Sequence, residues 1–311
     1  MKFRFGKEAS PGWLAIRQRG AEIDIAHVVR GGDRPRVSFC ETYRGAGVPD
    51  DALAGLRREK NLRGYRCTAL LARDEYEFNM IEAPNVPLAE RAGAARWRIK
   101  DLIDYPLENA AIDVLDIPVE DGARSQAMFA VSARNEIISG YVRRFQDVSM
   151  GLAAIDIPEA AQRNVSALFE EPDRGLAFLA FEETGGLLTV TFRGELYLSR
   201  RIDVSLARLI GGDAVERAQL HERIALEIQR SLDHFDRQYS FITLSRFLLA
   251  PLPAETELAE YLAGNIYVRV ERADLASVFD CDAVPEMAEP ALQACCLQVL
   301  GAGLRDEAPA K

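Results

Sequence analysis

The sequence predicts an α/β protein of two lobes, built twice to one plan around a cleft. Three observations carry that expectation. The chain has 311 residues, room for about two domains of ~150 residues each. Each half opens with short alternating strands and continues with alternating helices and strands. Between the halves lies Glu170-Glu171-Pro172-Asp173-Arg174-Gly175, a charged stretch with a helix breaker that suits a lobe boundary.

Taken in order, the first strands are expected at Trp13-Leu14-Ala15-Ile16, Glu22 to Val29 and Arg36 to Phe39, separated by glycine or charged turns. A short helix follows at about Asp50 to Glu59, then strands at Arg66 to Leu71 and Glu75 to Phe78. After Pro84 and Pro87, the positions Leu88, Ala92, Ala95, Ile99, Leu102 and Ile103 share one face of an amphipathic helix. Strands at Ala110 to Val119 and Gln126 to Ser132, a helix striped by Ile137, Ile138, Tyr141, Val142 and Phe145, and a strand at Ala153 to Ile157 complete a compact module over 84–157. A helix from Pro158 to Phe169 ends the first half.

The second half restarts with strands at Leu176 to Glu182, Leu187 to Phe192 and Glu195 to Arg200, joined by hairpin turns at Thr184-Gly185-Gly186 and Arg193-Gly194. A long helix follows at Val215 to Phe235, with Leu220, Ile224, Ile228, Leu232 and Phe235 on one face. Then come a strand at Phe241 to Leu249, a helix at Ala254 to Ala263, a strand at Ile266 to Val270 and a terminal helix from Pro290 to Leu304. The expected division is a first lobe over 1–172, a second over 173–289 and a terminal helix within 290–311 that packs back on the first lobe.

Composition narrows the function classes. With 48% hydrophobic and 28% charged residues the chain is an ordinary globular one, and its longest apolar runs fall far short of the ~20 residues of a bilayer span. The N-terminus has no apolar core of a secretory signal, so a cytoplasmic location is expected. The net charge of -10 repels nucleic acid and anionic lipid as a global field. The basic clusters at Arg57, Arg58, Lys60, Arg63 and Arg66, and at Arg96, Arg98 and Lys100, read as solvated helix faces. Five cysteines without C-x-x-C spacing disfavour disulfide and zinc frameworks.

Catalytic constellations are sparse. No G-x-S-x-G, G-x-x-x-x-G-K-[ST], H-E-x-x-H or G-x-G-x-x-G occurs. The three histidines, His27, His221 and His234, read as packed or surface residues rather than ligands. Gly211-Gly212-Asp213 imitates a phosphate loop, but a helix cap is the favoured reading. Trp97 stands out: it lies about 180 degrees from the apolar stripe of its own helix, among Glu90, Arg96, Lys100 and Asp101. It is expected either under a neighbouring module or in a partner-binding groove, where Trp is a frequent anchor.

Ala95-Arg96-Trp97-Arg98-Ile99-Lys100-Asp101-Leu102-Ile103-Asp104-Tyr105-Pro106, Ile112-Asp113-Val114-Leu115-Asp116-Ile117-Pro118 and Ile228-Gln229-Arg230-Ser231-Leu232-Asp233-His234-Phe235 resemble the MshI proteins of MSHA (mannose-sensitive haemagglutinin) type IV pilus biogenesis, relatives of PilM. The order of elements is similar over nearly the whole chain. The resemblance implies an actin-like, ribonuclease H-like duplicated fold, with 84–157 as the inserted subdomain of PilM and FtsA. It also implies a cytoplasmic adaptor that clasps the N-terminal tail of a PilN-like inner-membrane protein and meets the membrane only through that partner. The cytoplasmic domain of the type II secretion protein GspL is a neighbouring alternative, disfavoured by the lack of a span after residue 304.

Departures from the family pattern concern ATP. Where PilM-like proteins carry a D-x-G-type turn, this chain has Leu14-Ala15-Ile16-Arg17-Gln18-Arg19-Gly20, without an acid. The equivalent turn of the second lobe, Glu182-Glu183-Thr184-Gly185, keeps an acid and a glycine in altered spacing. In place of a Gly-Gly adenosine-side turn stands Leu248-Leu249-Ala250-Pro251, where Pro251 lacks an N–H and the leucine side chains are expected to fill the space. The expectation is a degenerate actin-like ATPase that needs no cofactor. Its rivals are an ATP-binding or ATP-hydrolysing enzyme of the actin and sugar-kinase superfamily, with magnesium and with Glu182 or Glu183 as its carboxylate, and a self-assembling filament protein. Arg17 and Arg19 could hold phosphate without a metal.

Overall fold

The computed structural model describes residues 11–44, 49–87, 90–119 and 127–305. The first sheet contains β1 (Trp13–Arg19), β2 (Glu22–Val29), β3 (Arg36–Arg44), β4 (Arg66–Leu70) and β8 (Gly151–Asp156), in the order β3-β2-β1-β4-β8. The second contains β9 (Gly175–Glu182), β10 (Gly185–Phe192), β11 (Glu195–Ile202), β12 (Leu244–Leu249) and β13 (Val270–Arg272), in the order β11-β10-β9-β12-β13. The two orders are the same. In each sheet the first three strands form an antiparallel meander and the last two add in parallel. Short glycine-containing turns permit the meanders, and the parallel additions need helical crossovers.

Helix α4 (Pro158–Ala167) follows the last strand of the first sheet, and α8 (Pro290–Gly303) follows the last strand of the second. Each crosses to the other lobe: α4 packs on β10 and β11, α8 on β1, β2 and β3, and the two helices pack on one another. They share one apolar cluster with Ala15 and Val28 of the first sheet and Leu176, Phe178 and Leu248 of the second. On α4, Gln162 is fully buried, and its amide donates to the carbonyls of Phe178 and Leu187 and to the Thr189 hydroxyl. This pins α4 to the second sheet.

The outer faces carry α1 (Pro49–Lys60) and α3 (Asn135–Asp147) on the first lobe, and α6 (Ala214–Gln238) with α7 (Leu258–Asn265) on the second. A short α5 (Leu206–Ile210) precedes α6. Leu220, Ile224, Ile228, Leu232 and Phe235 of α6 are all buried, as their 3.6-residue spacing predicts. Its start is the cap: the Asp213 carboxylate accepts from the N–H groups of Val215 and Glu216, and Glu216 reaches back to Asp213.

The small module departs from its expected bounds of 84–157. Its sheet has the order β5-β7-β6, from β5 (Tyr76–Glu82), β6 (Ala110–Asp116) and β7 (Ala127–Arg134), with α2 (Arg91–Ile99) against it. The strand at Tyr76 therefore belongs to the module, whereas α3 and β8 belong to the first lobe, where Tyr141 and Phe145 enter the core beside Leu14 and Leu56. Pro84 and Pro87 mark a link inside the module, because β5 finds its partner in β7 about fifty residues later. Helix α2 also ends early, and Leu102 is exposed. Residues 88–89 and 120–126 of the expected elements lie outside the described residues.

Candidate functional site

Two hairpins, one from each five-stranded sheet, meet through their side chains. The β1–β2 turn is Gly20-Ala21, with Gly20 at φ +58. The β9–β10 turn is Glu183-Thr184, closed by the Glu182–Gly185 pair. Gly185 has φ +140, and a Cβ there would stand 2.8 Å from the Ile202 carbonyl oxygen, so this position requires glycine. The twofold repetition of the sheets brings these turns face to face although about 165 residues separate them.

Their side chains bond from one lobe to the other. Arg17 donates from both terminal nitrogens to the two carboxylate oxygens of Glu182, at 2.7 Å each, and both side chains are nearly buried, at 13% and 12% exposure. Arg19 donates to Glu183 at 2.6 Å, to Asp24 at 2.6 and 2.9 Å, and to Glu22 at 3.2 Å. Asp24 is fully buried on β2 and also accepts from the Thr42 hydroxyl. Its hydrogen bonds hold the Arg19 guanidinium more firmly protonated than usual, against the opposing effect of burial. Thr184 is exposed at the tip.

These residues do not fit a magnesium nucleotide. A phosphate turn offers free N–H groups and a carboxylate for the metal. Here both guanidiniums are already engaged by carboxylates, and with four acids around two guanidiniums the joined turns carry a net negative charge that repels a polyphosphate. Among the described residues no group of three or more His, Cys, Asp or Glu is placed to hold a metal ion.

At the end of β12 the expectation needs correction. Leu248 and Leu249 are buried within β12 and point into different apolar clusters, one on each face of the sheet, as strand alternation requires. They do not plug the turn. Instead Leu249, Ala250, Pro251, Leu252, Arg272, Ala273 and Gln293 line a hollow of about 390 Å³ at the ends of β12 and β13.

A second polar joint lies beyond what the sequence predicts. Arg201 of β11 donates to Glu159 at 2.6 Å and to the Tyr76 hydroxyl at 2.8 Å, while Tyr76 donates to Glu159 at 2.6 Å. Burial, then the Glu159 charge, pushes the Tyr76 phenol well up. Burial works against the Arg201 charge, but Glu159 and Tyr76 outweigh it and raise its pKa. The joint ties the small module, α4 and the second sheet together. Beside it, Ile117 and Phe129 of the module share the second lobe's apolar cluster. Three residues so far apart carry no local sequence signal.

Trp97 is 76% exposed on the outer face of α2. Among the described residues no neighbouring module covers it. The nearby Arg96 is spent on the carbonyls of Leu107 and Ala110, and Arg98 pairs with Glu82. His27 and His221 are buried and His234 is exposed.

Neither a family model nor a curated protein matches the sequence. Solved structures do match the fold. The structure described as the PilM–PilN type IV pilus biogenesis complex contains a chain 18% identical, with a TM-score of 0.69 over 95% of this chain and 99% of that one. The cytoplasmic domain of EpsL, an inner-membrane component of the type II secretion system of Vibrio cholerae, is 14% identical with a TM-score of 0.51 over 89% and 94%. A Bacteroides thetaiotaomicron protein with an actin-like ATPase fold is 11% identical, also at 0.51, over 93% and 99%. The chain has the actin-like fold.

Proposed function

We propose that this chain is an actin-fold adaptor of a type IV pilus machine, of the MSHA kind, that grips the N-terminal tail of a PilN-like inner-membrane protein without ATP turnover. The observation that carries the reading is the end-to-end correspondence of fold with a chain of the PilM–PilN complex. Trp97, presented on that module, is the anchor we assign to the partner, since a large exposed indole is the side chain that binding surfaces favour. No helix among the described residues is long and apolar enough to cross a membrane, in keeping with a protein that sits on the cytoplasmic side of the inner membrane through its partner.

The engaged arginines of the first turn and the missing N–H of Pro251 support the reading without nucleotide. The hollow at Ala250 and Pro251 favours the alternative, an ATP-binding member of the superfamily. Calorimetry separates the two. The full chain is titrated with a synthetic N-terminal peptide of a PilN-like protein and, separately, with magnesium-ATP. Peptide binding near micromolar Kd, about -8 kcal/mol, with no heat from ATP is expected. Magnesium-dependent ATP binding with no peptide binding would overturn the proposal.

A further inference from the structure

The turns that hold nucleotide phosphates in an active actin-like protein here hold one another. We infer that Arg17–Glu182 and Arg19–Glu183 form a built-in latch, which fixes the two hairpins to one another in place of a bound ligand. The inference rests on the reading without nucleotide given above and extends it to what keeps the lobes in register.

The charges come from both sides in matched positions. The first hairpin supplies two guanidiniums from alternate residues of β1, so both project from the same strand face. The second supplies two carboxylates from adjacent residues, one at the end of β9 and one in the turn, which brings them side by side at the hairpin tip. Arg17 meets Glu182 with two parallel bonds, the fork geometry that gives arginine–carboxylate pairs their strength and direction. Arg19 is held from behind by buried Asp24, itself braced by Thr42, so it arrives at Glu183 already oriented. Arg144 of α3 donates to Gln18 between the two arginines at 3.1 Å. Glu22, which also accepts from Arg44, is a further charged group facing Arg19.

The latch therefore has an inner pair, shielded from water, and an outer pair with Glu183 largely exposed. Salt screens the outer pair first. Glu183, the most exposed of the four side chains, places a negative charge at the rim of the latch, which opposes an incoming anion. The hairpins are held constitutively.

Hydrogen exchange of the full chain tests this, read at the amides of residues 17–21 and 183–185. Arg17→Glu and Glu182→Arg are each expected to speed exchange at both turns by about tenfold or more, the equivalent of ~1.4 kcal/mol. The combined Arg17→Glu/Glu182→Arg exchange of charges is expected to bring both turns back toward the unmodified rate. Raising NaCl from about 0.05 M to about 1 M in the unmodified protein is expected to speed exchange at the same amides, an outcome independent of how the variants fold. Unchanged exchange at the opposite turn in either single variant, together with no salt response, would overturn the latch. Protection of both turns by magnesium-ATP would instead overturn the reading without nucleotide.

Discussion

Gly301 of α8 crosses Ala161 of α4 so closely that a Cβ on Gly301 would stand 2.0 Å from the Ala161 carbonyl oxygen. The atom met is backbone, so nothing flexible can yield. Asn164 adds a hydrogen bond to the Gly301 carbonyl at 2.9 Å. Because these two helices are the layer between the sheets, their spacing sets how near the two lobes lie.

Gly301→Ala is therefore expected to force α4 and α8 apart and to destabilise the protein by about 3 kcal/mol, the upper part of the usual overpacking range. Gly93→Ala is the control: Gly93 lies in α2, and a methyl group added there would meet nothing within 4 Å. It should be neutral or stabilise by up to about 1 kcal/mol through helix propensity. Denaturant midpoints of the two variants check the contrast, and equal midpoints would contradict it.

The Glu159 joint gives a second expectation. Glu159 is 1% exposed, but Arg201 is one-quarter exposed at its side chain, so solvent softens the loss. Glu159→Gln should cost about 2–3 kcal/mol, less than a wholly buried pair, and Tyr76→Phe about 1–2 kcal/mol. Since the three groups form one network, the double variant should cost less than the two single losses combined. A strictly additive result in urea unfolding would mean that they act separately.

Trp97→Ala should leave the melt within about 2 °C of the unmodified protein, because an indole 76% exposed contributes little to a core. If α2 presents it to a partner, the same substitution should weaken a PilN-like peptide by at least about tenfold, or ~1.4 kcal/mol. Titration calorimetry reads this directly. Unchanged affinity would remove Trp97 from the partner surface.

His27 predicts a pH response. It is 4% exposed, its Nε2 lies 3.0 Å from the Pro11 carbonyl oxygen, and it packs on Phe39 and Tyr65. Burial, foremost, lowers its pKa below the ordinary 6.5, with Arg36 adding to the effect and the Pro11 carbonyl opposing it. The folded protein thus prefers neutral His27. That contribution is complete above pH 6.5 and is lost as pH falls through the lower, folded value. Melting temperature should accordingly drop as pH moves from 7 to about 5, and His27→Gln should flatten the slope. A variant with the same slope would assign the response to other groups.

How much was legible follows from the range of each interaction. The β9–β10–β11 meander, the stripe of α6 and the Asp213 cap are readable because each rests on residues a few positions apart. The inserted module is misdrawn at both ends for the opposite reason. Whether a short apolar run such as Tyr76–Glu82 joins one sheet or another depends on its partner, here β7, and not on its own pattern. Likewise, alternation alone does not reveal that both faces of β12 are covered, so Leu248 and Leu249 read as cleft fillers when they are core.

By itself the sequence determined the two-lobed α/β plan, the absence of an acid between Leu14 and Gly20 and the exceptional position of Trp97 on its helix, because periodicity and residue chemistry are local properties. Only the tertiary structure decided that Arg17 and Arg19 are engaged by Glu182 and Glu183, that Tyr76, Glu159 and Arg201 form one joint, and that Trp97 remains uncovered. Each is a matter of which surfaces the folded chain brings together. An ion pair depends on distance in space, and distance between residues 17 and 182 is set by the packing of α4 and α8 between two sheets, which no stretch of sequence around either residue encodes.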